Sequence, residues 1–183
     1  ILFLLSTLWY DFSNSTSFHW FNDGLEWFFL DKFGHAWSTY FISRIVNFIL
    51  EPYNLHPKQR FFIIFFTGPL LWSGIELLDG FFPNYGASYF DILANFSGAF
   101  IFLIQYHFFK TMKFPLKFGF SPSEFSSLRP NMLGDNLLTS FFKDYNGHTY
   151  WVNIPIKGVK FLCLSVGYGA DGLIGGHSNQ YYS

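Results

Sequence analysis

The sequence predicts a mainly α fold: an antiparallel, membrane-associated bundle of about three long helices, followed by a small C-terminal region that contains a β-hairpin. Three observations predict it. Half of the 183 residues are apolar and a quarter are aromatic, with 28 Phe, while only 13% are charged, about half the usual share of a soluble domain. Three segments with apolar residues at helical spacing are separated by short, turn-rich connections. Beyond Lys117 the chain turns to Ser, Pro and Gly, and then to two runs rich in β-branched and aromatic residues.

Taken in order, residues 1–23 read as a signal-like or anchor segment. Their opening run ILFLLSTLWY is shorter than the roughly 20 apolar residues that a spanning helix needs. Residues 24–113 read as a helical membrane domain. Its first helix covers residues 25–50, with apolar residues at helical spacing, and stops at Glu51-Pro52. The second runs from Pro57, a favoured first-turn residue, to Leu78, with Gly80 as its stop and a kink expected at Pro69. The third begins at Ser88, where Ser-Tyr-Phe-Asp fits a capping box, and ends at Lys110 and Lys113. The connections EPYNLHP and FPNYGA are short enough to make neighbouring helices antiparallel.

Residues 114–183 read as a loop-rich region with short strands. One short helix is expected in NLLTSFF, and two strands, HTYWVNI and VKFLCLSVGY, pair as a hairpin around residues 155–158. Gly167-Tyr168-Gly169-Ala170-Asp171-Gly172 spells the dinucleotide fingerprint, but eleven residues follow it here, fewer than its helix, second strand and ribose-binding acid require. These glycines are expected to end a strand or to admit close packing.

Net charge is −1 with scattered Lys and Arg, which excludes a nucleic-acid footprint. Cys163 is the only cysteine, so disulfides and Cys-based metal clusters are excluded. Histidines 19, 56, 107, 148 and 177 are expected at surfaces or interfaces.

The polar residues of the helices follow a pattern. Asp31 and His35 share one face at the start of the first helix, with Lys32 beside them. Glu76 and Asp79 share a face at the end of the second, and Asp91 and Asn95 at the start of the third. Antiparallel packing gathers these three places at one end. Small residues there, among them Gly34, Ala36, Ser73, Gly74, Ala94, Ser97 and Gly98, allow close helix approach.

Four carboxylates gathered there cannot all be ionised cheaply. Lys32, His35 and the amides at the start of the third helix are internal compensations. A divalent metal is an external one, with His35, Glu76, Asp79 and Asp91 as candidate ligands. The bland alternative is a self-satisfied network that pins three helices in register. Lys58, Arg60, Lys110, Lys113 and Lys117 all fall at the other end. In a cytoplasmic membrane the positive-inside rule would therefore put the acids outside, whereas for an outer membrane it is silent.

DKFGHAWSTY, WSGIELLDGFFPNYGASYFDILANFSGA, KDYNGHTYW and SVGYGADG together resemble the YfiM-like predicted periplasmic lipoproteins, in the longer form found in Bacteroidota. The helical part is also similar to VanZ-like membrane proteins. The Asp-Lys-x-x-His block of that family falls on Asp31, Lys32 and His35, its Glu block on Glu76 and Asp79, and its Asp-x-x-x-Asn block on Asp91, Asn95 and Gly98. Asp79 stands where VanZ-like proteins usually have Gln. Both resemblances imply the bacterial cell envelope, and neither implies a reaction.

The expected role is binding of an envelope lipid, a metal or a partner protein in a pocket lined by Asp31, Lys32, His35, Glu76, Asp79, Asp91 and Asn95. One alternative is a metal-assisted membrane enzyme acting on a lipid-linked envelope substrate, with His35 or Glu76 as general base. The other is a structural subunit of an envelope assembly, whose strands at 148–168 extend a partner's sheet.

Overall fold

The computed structural model describes residues 14–159 and 161–177. The chain divides into two compact units, one of residues 1–24 and 35–111, the other of residues 25–34 and 112–183. It is mainly helical, with small sheets. The apolar run expected to be an anchor, residues 1–10 with Trp9, lies outside the described residues.

The first unit is helical. Strand β1 (Trp20–Phe21) leads to α1 (Leu30–Ile49), α2 (Pro57–Asp79), β2 (Ala87–Ser88) and α3 (Tyr89–Phe109). The sequence signals act as expected at both ends of α2. Pro57 opens it, the His56 ring accepts the Lys58 N–H, and the Gly80 N–H returns to the Glu76 carbonyl. Pro69 lies inside an uninterrupted helix. Ser88 caps α3, its side chain accepting the Asp91 N–H. Residues 81–86 are so short a link that the end of α2 and the start of α3 adjoin. β1 pairs in parallel with β2, Trp20 opposite Ala87 and Phe21 opposite Ser88.

Close backbone approach holds this unit together. A Cβ on Gly98 would lie 1.9 Å from the Ala36 carbonyl oxygen, so α3 meets α1 where only a hydrogen fits. Ser43 Oγ donates to the Ile64 carbonyl across α1 and α2 at 3.3 Å. Tyr40, Ile64 and Phe102 are fully buried, and Tyr40 meets Phe102 edge to face at 6.2 Å. The outward faces are also apolar, with Phe62, Leu70, Leu93, Phe100 and Phe108 all exposed. By length and composition α2 and α3 could each cross a bilayer.

The first helix starts later than its apolar spacing suggests. Trp27, Phe28 and Phe29 have φ of 51°, 51° and 63°, a left-handed turn that no ordinary helix continues. Tertiary bonds hold it: Trp27 N–H donates to the Gly176 carbonyl at 3.0 Å, and Tyr168 Oη donates to the Phe28 carbonyl at 2.8 Å. Propensity at residues 25–29 is overridden by these partners from distant parts of the sequence.

The second unit carries β3 (Leu116–Phe120), α4 (Pro130–Leu133), α5 (Leu137–Lys143), β4 (His148–Pro155) and β5 (Cys163–Tyr168). The expected hairpin is β4–β5, with Tyr150 opposite Tyr168 and Pro155 opposite Cys163. The expected short helix is α5, closed at its start by an Asn136–Thr139 capping box. A third strand corrects the reading of a loop after Lys117: β3 pairs antiparallel with β4, giving the order β3-β4-β5. Its alternating Leu116, Phe118 and Phe120 is a period-2 signal confined to five residues and masked by flanking Pro, Lys and Gly. Gly167 does admit close packing, since a Cβ there would lie 2.4 Å from the Trp151 ring.

Candidate functional site

At the adjoining ends of α2 and α3, Ser88 is the hub. Its hydroxyl donates to Asp23 Oδ1 at 2.5 Å and accepts the Asp91 N–H at 3.1 Å. Its own backbone N–H goes to Glu76 Oε2 at 3.3 Å. In a standard capping box the acid three residues into the helix would take that N–H. Here Glu76 takes it, and the Asp91 carboxylate faces elsewhere.

It faces His35 of α1. His35 Nε2 lies 3.4 Å from Glu76 Oε1 and 3.9 Å from Asp91 Oδ1. The opposite ring nitrogen, Nδ1, donates to Asn95 Oδ1 at 3.0 Å. Glu76, Asp91 and Asn95 are at most 3% exposed. The Trp72 indole stands edge-on to the imidazole at 5.8 Å. With Nδ1 carrying the proton that Asn95 accepts, an unprotonated Nε2 would aim its lone pair at two carboxylates. Such an arrangement requires a proton on Nε2 or on one of the facing carboxyls, or a cation between the three groups.

Of the residues predicted from the sequence, the helical unit brings His35, Glu76, Asp91 and Asn95 into one set of contacts. Asp79 is half-buried one turn beyond Glu76. Burial, and then the charge of Asp79, push the Tyr85 hydroxyl above its ordinary range. Asp31 begins α1 four residues before His35. In the second unit it accepts from Lys32 Nζ at 2.9 Å and from Tyr145 Oη at 2.7 Å.

Sequence reasoning missed Asp23, Ser88 as a hub, Trp72 and Ser73. Asp23 stands in an Asn-Asp-Gly turn, and only the two-residue β1–β2 bridge carries it to Ser88, so no sequence signal marks it. Trp72 was findable, being four residues before Glu76 and hence on its face. Trp72 Nε1, Ser73 Oγ and Asn95 Nδ2 are buried without a hydrogen-bond partner among the described residues.

The second unit holds its own polar cluster. His148 is buried, against the expected position at a surface or interface, whereas His56, His107 and His177 are exposed and His19 is half-buried. Its Nε2–H donates to the Phe141 carbonyl at 2.9 Å, and its Nδ1 accepts from Tyr150 Oη at 3.3 Å. Burial holds His148 below its ordinary pKa, against the Phe141 carbonyl, Asp144 and Asp31, which pull the other way. Burial, and then Asp31, hold the Tyr150 hydroxyl well above its ordinary range. Asp144 is fully buried and accepts from Ser123 N–H, Ser123 Oγ and Asn146 Nδ2, each at 3.0 Å. This satisfied network ties the segment after β3 to the turn before β4.

Residues 19–107 match the family model described as predicted periplasmic lipoprotein (DUF2279). The helical segment is similar to that family. The match agrees with the YfiM-like resemblance of the sequence and assigns the chain to the cell envelope. It takes in Asp23, His35, Glu76, Ser88, Asp91 and Asn95, while β3, β4 and β5 lie beyond it. No curated protein and no solved structure matches the chain.

Proposed function

We propose that the helical unit spans a membrane of the cell envelope and binds a divalent cation between His35, Glu76 and Asp91. The orientation of one ring carries the reading: His35 Nδ1 is tied to Asn95, and Nε2 is turned to two carboxylates. A ligating imidazole is commonly fixed in this way by an outer-shell acceptor on its other nitrogen. Metal bonds of about 2.1 Å set neighbouring donor atoms about 3.0–3.5 Å apart. The 3.4 Å separation of Nε2 and Glu76 Oε1 fits, and Asp91 Oδ1 at 3.9 Å has a few tenths of an ångström to close.

Charge favours the same reading. Asp23, Glu76, Asp79 and Asp91 share this end, and neither residues 14–24 nor 80–89 contain Lys or Arg. One imidazole with carboxylate oxygens suits zinc, manganese or iron. The membrane part of the proposal rests on α2 and α3, whose outward side chains are as apolar as their buried ones. A carbonate-resistant membrane fraction is the expected location.

A second reading has one observation in its favour. Trp72 Nε1, Ser73 Oγ and Asn95 Nδ2 are buried donors without an acceptor among the described residues, and two of these side chains touch the His35 ring. An oxygen-rich, lipid-linked substrate would supply acceptors, with His35 or Glu76 as general base and the cation as Lewis acid. Cation-dependent turnover of such a substrate in reconstituted membranes separates this reading from binding alone.

The test is calorimetric titration of the chelator-treated chain with zinc and manganese. One ion is expected to bind per chain, with binding lost in His35→Ala and weakened about 10–100-fold in Asn95→Ala. A wild-type chain that takes up neither metal sinks the proposal.

A further inference from the structure

We infer that the far half of the β4–β5 hairpin is a second membrane contact, entering the headgroup layer of an anionic bilayer. It goes beyond the proposed cation site and uses none of its residues. From Trp151 onward, β4 is exposed except at Asn153, and all six residues of β5 are exposed. The two strands sort their side chains by face. Val152 stands opposite Val166 and Ile154 opposite Leu164, which makes one face wholly apolar. On the other face the polar pair Asn153–Ser165, joined by a 3.0 Å bond from Ser165 Oγ to Asn153 Oδ1, lies between Trp151–Gly167 and Pro155–Cys163. The hairpin thus leaves one wholly apolar face uncovered.

The turn continues the apolar face. Ile156, Val159 and Leu162 are exposed, and Phe161 is 98% exposed. Such a phenyl ring at a hairpin tip has no role in a water-facing turn, which polar and Gly or Asn residues would serve. Charge identifies the occupant. Residues 145–170 contain no Asp or Glu, and their only charged residues are Lys157 and Lys160. A tip combining apolar side chains with Lys157 is complementary to a lipid surface of negative charge, where a Lys adds to binding while its stem stays in apolar surroundings. Strand addition to a partner protein would use the open edge of β5 and would leave Phe161 unexplained.

The chain carries its own reporter, because the single cysteine, Cys163, is exposed two residues beyond Phe161. The full chain is labelled at Cys163 with a polarity-sensitive fluorophore and reconstituted in nanodiscs of phosphatidylcholine, with and without phosphatidylglycerol. Blue-shifted emission and quenching by a lipid-borne nitroxide are expected in the anionic discs. Lys157→Gln should lower the docked-to-undocked ratio about fivefold, and Phe161→Ser should abolish the shift. Emission that stays water-like in both lipids overturns the inference. So does protection of Cys163 that depends on protein concentration and not on lipid, which would assign the β5 edge to a second copy. The signal is read without added metal, so this result stands apart from that of the metal titration.

Discussion

Glu76 Oε2 accepts the backbone N–H of Ser88 at 3.3 Å while Glu76 Oε1 stands 3.4 Å from His35 Nε2. A single carboxylate from the end of α2 thereby completes the cap of α3 and meets the imidazole of α1. Capping α3 from outside releases Asp91 from the reciprocal bond of a capping box and leaves it able to face His35.

This double role separates two substitutions. Glu76→Gln keeps an acceptor oxygen for the Ser88 N–H and should unfold within about 1 kcal/mol of wild type. Glu76→Ala strands a buried N–H and should lose a further ~1–3 kcal/mol. Thermal unfolding of the purified chain measures both. Equal losses would mean that the cap bond contributes nothing.

Gly98→Ala should be among the most damaging single-methyl changes in the helical unit. The added Cβ would meet the Ala36 carbonyl at 1.9 Å and Thr39 Oγ1 at 2.3 Å, and backbone cannot yield as a flexible side chain would. The expected cost is about 1–3 kcal/mol. Gly119→Ala, with no neighbour nearer than 3.9 Å, should stay within about 0.5 kcal/mol. Unfolding midpoints of the two variants decide the matter.

The left-handed turn gives a prediction of unusual sign. In most positions Gly is less stable than Ala, but Phe28 has φ of 51°, where a Cβ costs about 1–2 kcal/mol. Phe28→Gly should therefore be more stable than Phe28→Ala by about 1 kcal/mol. The comparison cancels the lost phenyl contacts, which both variants share. An Ala variant more stable than the Gly variant would contradict the left-handed conformation.

Acid should weaken the sheet unit through His148. Burial sets the folded pKa below the ordinary 6.5, so the unfolded chain takes up the proton first. Stability from this group is complete above pH 6.5 and declines as pH falls below it toward the folded value. Unfolding followed between pH 8 and pH 5 should show the decline. His148→Gln, which can still donate to Phe141 and accept from Tyr150, should flatten it. A slope unchanged by that substitution would assign the acid sensitivity to another group.

The three long helices were legible in the sequence because their signals are local. Pro57, Gly80 and Ser88 act on residues within one turn of themselves, and apolar spacing needs no partner to be read. The placement of His35, Glu76, Asp91 and Asn95 near one end followed from spacing and from short connections. Strand β3 was not legible, since five residues carry too little periodicity, nor was the late start of α1, which depends on Gly176 and Tyr168 far along the chain.

By itself, then, the sequence determined a mainly helical envelope protein with a C-terminal hairpin, because composition, capping residues and periodicity are properties of neighbours in the chain. Only the tertiary structure decided that Asp23 reaches Ser88, that Glu76 caps α3 in place of Asp91, and that His148 is buried. Those facts depend on which backbone N–H and which ring nitrogen meets which oxygen across tens of residues. Such pairings are set by close packing at places like Gly98, and a one-dimensional pattern does not encode distance.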